Sequence, residues 1–257
     1  MDKKAVDAAR SLYYGLFSKM LVFSEAENRF EGLKEALEVM AANPMDTNSG
    51  EALKELQVYM NDEGYALLAE EYDTIFHDPE NPIVRTTASF YAEGLESGKK
   101  LVEVRQFVAK TRIRRDEKQF REPEDSIGFL MTFMHELIEL VISGEAAYIP
   151  IQHCLFDEVL NLFLDRFVPN LYEHPSANAY KSLAIVMHAF VAFERLYFGL
   201  GKPEAPETET KQSTSCDFIS DKEAKRRAEN RIARSADTLV ASCSLENDDD
   251  SEGILEQ

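Results

Sequence analysis

The feature that most constrains this sequence is a helical spacing of apolar residues, which persists through its first 200 positions. Near the N-terminus the apolar residues fall three, four or seven positions apart, at Val6, Tyr13, Leu16, Phe17, Met20 and Leu21. This spacing gathers side chains on one face of a helix. No segment alternates between polar and apolar residues as a half-exposed strand does. The sequence therefore predicts an all-α protein, a single globular bundle of about eight helices.

Capping residues and prolines divide this pattern into helices. Ser24 and Glu27 fit a capping box, so the second helix is predicted to begin there and to reach Asn43-Pro44. The loop at 78–82 contains two prolines and separates the first helices from the later ones. Leu53, Leu56 and Met60 mark a third helix, and Leu68, Tyr72, Ile75 and Phe76 mark a fourth. The later helices are predicted at roughly 86–110, 125–142, 151–167 and 176–199. The helix from Ile127 is the most apolar, which indicates a position in the core or against a partner.

The composition changes sharply at the end of this region. Of the 26 aromatic residues, all but Phe218 lie in residues 1–200. Because residues 201–257 have so few large apolar side chains, burial cannot offset the entropy of ordering them. We therefore expect one helical domain over 1–200 and a largely disordered acidic tail. Residues 220–240 carry six basic residues and no Gly or Pro, a composition compatible with a helix.

The charge excludes several classes of partner. The net charge is −19, from 47 acidic and 28 basic residues, whereas nucleic acids and anionic membranes attract clustered Lys and Arg. Three scattered cysteines indicate reduced thiols and provide no metal site. The sequence has neither a signal-peptide pattern nor an apolar stretch of about 20 residues, so a cytoplasmic location without stable membrane association is expected.

Motifs for catalysis are missing. The segment His135-Glu136-Leu137-Ile138-Glu139 has Glu where a zinc helix needs its second His. Phosphate-binding glycine loops and serine-nucleophile motifs are also absent from the sequence. These observations predict a binding protein and not an enzyme.

One basic segment stands out against the acidic background. Residues 99–121 hold nine basic and three acidic side chains. Arg112, Arg114 and Arg115 could bind the phosphate groups of a nucleotide through charge-assisted hydrogen bonds. The alternative is a solvated helix end that pairs with the acidic surface. Both interpretations stay open at this point.

Two motifs resemble those of a known family. The first runs from Tyr72-Asp73-Thr74-Ile75-Phe76 through the proline loop to Ser89-Phe90-Tyr91, and the second is Glu122-Pro123-Glu124-Asp125-Ser126-Ile127. Together they resemble the motifs of TorD-like proteins, the cytoplasmic chaperones of molybdenum oxidoreductases, over about residues 8–200. The second motif departs from the family because Ser126 stands where the family has His.

The resemblance implies a function. TorD-like proteins bind the twin-arginine signal peptide or the catalytic subunit of an apo-molybdoenzyme and hold it for insertion of the molybdenum cofactor. The implied client is an enzyme of the formate dehydrogenase or dimethyl-sulfoxide-reductase type, and the chaperone is a monomer or a dimer. Carried over by position, the binding residues are Tyr72, Ile75, Phe76, Pro82, Glu122, Pro123, Asp125 and Ser126.

Two points remain open. No permanent cofactor is expected, but the basic segment could contact molybdopterin guanine dinucleotide or GTP, and a carrier that delivers such a cofactor is the alternative function. Asp125 has two interpretations, because it could pair with a client arginine or simply cap the following helix. A binding role requires that one of its carboxylate oxygens stays accessible.

Overall fold

In the computed structural model, residues 3–24, 26, 28–116 and 120–203 are described. Within them the fold is all-α, as the sequence predicts. The α-helices are α1 (Lys3–Leu21), α2 (Leu33–Ala42), α3 (Thr47–Gln57), α4 (Asp62–Phe76), α5 (Ala88–Glu93), α6 (Lys99–Ala109), α7 (Ile127–Ile142), α8 (Ile149–Leu155), α9 (Asn161–Glu173) and α10 (Ala179–Phe198). A π-helical turn at Phe156–Leu160 joins α8 and α9 into one continuous helical segment.

The apolar helix α7 lies in the core and packs along α1. Their close approach depends on Gly128, where a Cβ atom would lie 2.7 Å from the carbonyl oxygen of Leu21 and 2.8 Å from Cα of Val22. Any larger residue would push the helices apart. Core packing thus accounts for the apolar composition of α7.

A buried ion pair joins α1 to α10. The Arg10 guanidinium donates from Nε to Oε1 of Glu194 at 2.6 Å and from Nη2 to Oε2 at 2.9 Å. The hydroxyl of Tyr14 donates to the same carboxylate at 2.9 Å, and Gln152 accepts from Nη1 at 3.0 Å. A buried charge pair with this many hydrogen bonds fixes how the helices pack, and removing one partner leaves an uncompensated charge.

Several predicted helix bounds are wrong. The second helix begins at Leu33, well after Ser24, because residues 28–32 form turns and Gly32 adopts a φ of 76°. The helix predicted over 86–110 is two helices, interrupted where Gly94 and Ser97 take positive φ angles of 71° and 58°. The helix predicted to end at residue 167 continues through Pro169 to Glu173.

Some expectations concern residues beyond the description. Glu27 and residues 204–257, with the proposed helix at 220–240, lie outside the described residues, so the domain division at residue 200 stays a prediction. Among the helices described, none combines the length and the apolarity that a membrane crossing requires. Cys154 is an unpaired thiol, half-buried beside the core.

Candidate functional site

The apolar residues of the first motif lie in the core. Tyr72 and Ile75 are fully buried and Phe76 is 5 % exposed. The Tyr72 ring packs against Phe76 with a centroid distance of 4.8 Å and against Tyr180 of α10 at 6.1 Å. These side chains hold α4 on the bundle, so a client would reach them only after a rearrangement of the core.

The proline loop is anchored to the C-terminal end of α9. Pro82 is exposed, and its carbonyl oxygen accepts a hydrogen bond of 2.7 Å from Nε2 of His174. Nδ1 of the same ring accepts from the Ser176 backbone N–H at 3.2 Å. This pattern assigns the proton to Nε2 of a neutral imidazole. The loop therefore has a fixed position, and Pro82 stays accessible on it.

Asp125 connects the two motifs to each other. Its Oδ2 accepts from the backbone N–H of Ser89 at 3.0 Å and from the Ser89 hydroxyl at 2.5 Å. The Asp125 carbonyl oxygen accepts from the Ala88 N–H at 2.9 Å. Asp125 is fully buried, and its Oδ1 has no hydrogen-bond partner in the described structure. Contrary to expectation, no oxygen of Asp125 is accessible to a client arginine.

The residue that caps α7 is Ser126 and not Asp125. The Ser126 hydroxyl oxygen accepts from the Phe129 N–H at 3.3 Å. The Ser126 N–H donates to the Pro123 carbonyl oxygen at 3.0 Å, which closes the turn before the helix. A serine at this position thus has a structural role of its own, since serine is a favoured N-cap residue.

The two glutamates of the second motif are half-buried and engaged. Oε2 of Glu122 lies 3.5 Å from the Phe23 N–H, and burial raises the pKa of Glu122, although that N–H and His77 oppose the rise. Burial also acts on Glu124, but its own N–H and two arginines, Arg105 and Arg115, hold its pKa below the ordinary value. The corner at 122–126 is therefore closed by its own contacts.

An open cavity lies beside this corner, on the outer face of α4. We call it the α4 cavity. It has a volume of about 610 Å³ and is lined by Phe23, Ser24, Ala26, Arg29, Phe30, Asp62, Tyr65, Ala66, Ala69 and Asp73. Asp62 and Asp73 are exposed, and Asp73 is a member of the first motif. The cavity thus combines accessible carboxylates with aromatic rings.

Arg29 forms one wall of the α4 cavity. Its guanidinium carbon lies 4.4 Å from the Phe30 ring centroid and 5.0 Å from that of Tyr72. Nη1 donates to the Ser24 carbonyl oxygen at 3.0 Å, whereas Nε and Nη2 are buried without a partner in the described part of the chain. The Arg29 guanidinium therefore lies between Phe30, which lines this cavity, and the buried ring of Tyr72.

The three arginines predicted to bind phosphate line a separate cavity of about 470 Å³. Phe120, in the loop before α7, and Phe133 of α7 line the same cavity. Each has partners within the chain. Arg112 pairs with Glu145 at 2.6 Å, Nη1 of Arg114 donates to the carbonyl oxygen of Thr111 at 2.6 Å, and Arg115 donates to that of Glu122 at 2.7 Å. The three arginines thus lie around one cavity, but hydrogen bonds within the chain already occupy some of their N–H groups.

Sequence reasoning missed most of the α4 cavity. Phe23, Phe30 and Asp62 belong to different elements, and no local spacing relates them. The described residues also contain no group of three or more His, Cys, Asp or Glu side chains suited to a metal ion. His135, from the degenerate zinc motif, lies with Nδ1 2.9 Å from the Ser11 hydroxyl, in a contact between α7 and α1.

Comparisons with known proteins complete this description. A redox enzyme maturation protein of Archaeoglobus fulgidus, as its crystal structure is described, is similar at 17 % identity and a TM-score of 0.47. The similarity covers 71 % of this chain and 93 % of that one, and it says nothing about the site residues. No curated protein matches the sequence significantly.

A family model is more informative. The model described as nitrate reductase delta subunit matches residues 42–169. This range is about half of the chain and includes both motifs, together with the Ser89–Asp125 link between them. The chain therefore belongs to the TorD-like family, which this model describes.

Proposed function

We propose that this protein is a cytoplasmic chaperone that binds an apo-molybdoenzyme by its twin-arginine leader and holds it for cofactor insertion. The observation that carries the proposal is the α4 cavity, which two exposed aspartates and the aromatic residues Phe23, Phe30 and Tyr65 line together, with Asp73 a member of a family motif. A leader arginine needs both features, since carboxylates orient a guanidinium and an aromatic face stabilises its charge.

The charges of the α4 cavity favour a cationic ligand. Asp62 and Asp73 contribute two negative charges and Arg29 contributes one positive charge, so the lining has a net charge of −1. Asp73 is 66 % exposed and holds only a weak contact with His77, at 3.3 Å. Its carboxylate is thus free to turn towards a ligand at little cost.

The experiment is a binding titration of the full chain with a fluorescent leader peptide that contains the arginine pair. We expect Asp73→Asn to weaken binding about three- to tenfold, the range of a partly solvated ion pair. Glu63→Gln is the matched control, because Glu63 is an exposed carboxylate on the same helix that does not line the cavity. The same peptide with a lysine pair tests whether a planar guanidinium is required.

The result that contradicts this proposal is equally specific. If Asp62→Asn and Asp73→Asn bind the leader as tightly as the unaltered chain, the α4 cavity is not the arginine site. If no leader from any molybdoenzyme of the same organism binds, the export-related function is wrong. Circular dichroism of each variant shows that the fold is intact.

A second candidate function is a carrier of a nucleotide or a pterin cofactor. It is favoured by the cavity in which Arg112, Arg114 and Arg115 gather around Phe120 and Phe133, since arginines bind phosphates and aromatic rings stack on bases. Calorimetry with GTP and with molybdopterin guanine dinucleotide tests it. Binding that is lost in Arg112→Gln and Arg114→Gln supports the carrier, and a flat titration refutes it.

A further inference from the structure

The Arg29 guanidinium is largely removed from water, yet it has no carboxylate partner among the described residues. Nη1 donates to the Ser24 carbonyl oxygen at 3.0 Å, and Nε and Nη2 are buried without a hydrogen-bond partner in that part of the chain. Burying a positive charge without a counter-charge costs free energy. Arg29 is therefore only weakly held in the position that it occupies in the free chain.

Other arginines of the fold are held in a different way. Arg10 on α1 donates two hydrogen bonds to Glu194 of α10, at 2.6 and 2.9 Å. Arg195 of α10 donates from Nη2 to Oδ1 of Asp165 in α9 at 2.9 Å. Each of these pairs joins two helices, whereas Nη1 of Arg29 binds a carbonyl oxygen only five residues earlier in the chain. The contacts of Arg29 thus contribute little to the arrangement of the bundle.

Three aromatic residues, Phe30, Tyr72 and Tyr180, lie around the Arg29 guanidinium, and we call the space between them the arginine slot. The guanidinium carbon is 4.4 Å from the Phe30 ring centroid and 5.0 Å from that of Tyr72. Burial raises the pKa of Tyr180, and the positive charge of Arg29 opposes this rise. Aromatic faces stabilise a planar cation, so the slot suits a guanidinium. Because Arg29 also lines the α4 cavity, removing its side chain would open the slot to that cavity.

The α4 cavity supplies the carboxylates that the arginine slot lacks. Asp62 and Asp73 line the cavity and are exposed. Neither carboxylate forms a hydrogen bond with the Arg29 guanidinium. A guanidinium that enters through the cavity can therefore pair with carboxylates that Arg29, which is attached to the wall, does not engage.

From these observations we infer that Arg29 is a built-in competitor of the ligand. In the free chain it fills the slot that a client arginine takes, and it turns out into solvent when that arginine binds. The inference rests on the proposed function for the identity of the ligand. Because a tethered group competes at a high effective concentration, Arg29 sets the affinity of the cavity and its preference for a guanidinium.

The test is a titration of variants of the full chain with the fluorescent leader peptide. Arg29→Ala empties the slot and should tighten binding about tenfold, if Arg29 fills the slot in about nine chains of ten. Arg29→Met keeps an uncharged side chain in the slot, so it should tighten binding by about threefold at most, through the lost repulsion alone. Lys34→Gln is the matched control, because it removes a positive charge at an exposed position outside the cavity. Its effect should stay below about twofold.

Two further measurements detect occupation of the slot itself. The form of the peptide with a lysine pair should gain less from Arg29→Ala than the arginine form, because an ammonium does not match a planar slot. Methylguanidinium should displace the leader from Arg29→Ala and raise the thermal unfolding midpoint of that variant. Methylammonium at the same concentration should do neither.

The outcomes separate this inference from the proposed function. If Arg29→Ala binds the leader no more tightly than the unaltered chain, while Asp73→Asn still weakens binding, the competitor role is overturned and the arginine site stands. If Arg29→Met tightens binding as much as Arg29→Ala does, only the charge matters and the inference is wrong. If Arg29→Ala fails to fold, Arg29 is a structural residue and the inference is also wrong. If the leader binds none of the chains, the proposed function fails as well.

Discussion

Asp125 offers the sharpest test of what the second family motif does. Its carboxylate is fully buried and accepts two hydrogen bonds from Ser89, one from the backbone and one from the hydroxyl. The Ser89 hydroxyl oxygen in turn accepts from the Leu101 N–H at 3.2 Å, so the carboxylate orients the starts of both α5 and α6. Asp125→Ala should therefore destabilise the fold instead of acting on leader binding directly.

The magnitude follows from these contacts. Each hydrogen bond to a charged acceptor contributes about 1.5–3 kcal/mol, and the Ala variant leaves two buried donors unpaired. The unpartnered Oδ1 offsets part of this loss, because a buried oxygen without a partner is itself costly. We expect Asp125→Ala to lower the free energy of unfolding by about 3 kcal/mol.

Urea unfolding followed by circular dichroism measures this loss. Ser89→Ala and the double variant complete a cycle in which the pair should show a coupling of about 1–2 kcal/mol. Asp73→Asn serves as the control, with an expected change below about 0.5 kcal/mol for an exposed residue. If Asp125→Ala is as stable as the unaltered chain and yet fails to bind a leader, the structural role argued for Asp125 is wrong.

Three further predictions concern the core and the corner at 122–126. Glu194→Leu should cost about 3 kcal/mol of stability, because the buried Arg10 guanidinium keeps only Asp7, at 3.2 Å, as a charged partner; Arg10→Met in the same chain should recover part of this loss in thermal unfolding. Gly128→Ala should destabilise by about 1–3 kcal/mol, because its Cβ would overlap the Leu21 carbonyl; an unchanged urea midpoint would refute this. Since burial raises the pKa of Glu122, the folded chain binds this proton more tightly than the unfolded chain, and stability should fall as pH rises through the raised pKa. Glu122→Gln should flatten that part of the stability profile, and an identical profile would contradict the assignment.

The spacing of apolar residues predicted the bounds of long, strongly apolar helices well. It failed where the conformation of a single residue's backbone sets the end or the start of a helix. The bounds of α7 and α10 lie within three residues of the predicted ones, because both helices are long and apolar on most faces. The break between α5 and α6, where Gly94 and Ser97 take positive φ angles, was missed; residue type indicates such a conformation at the glycine but not at Ser97. The start of α2 was missed because the capping-box pattern at Ser24 was preferred to Gly32, whose φ of 76° precedes the helix.

The sequence by itself determined the fold class and the family, because helical periodicity and the two motifs are local properties of the chain. Only the tertiary structure decided what the motif residues do. Burial and hydrogen bonding are set by elements distant in sequence, and Asp125 is inaccessible because Ser89 packs against it and donates two hydrogen bonds to its carboxylate. The same three-dimensional assembly placed Phe23, Phe30 and Asp62 around one cavity, an arrangement that no spacing along the chain encodes.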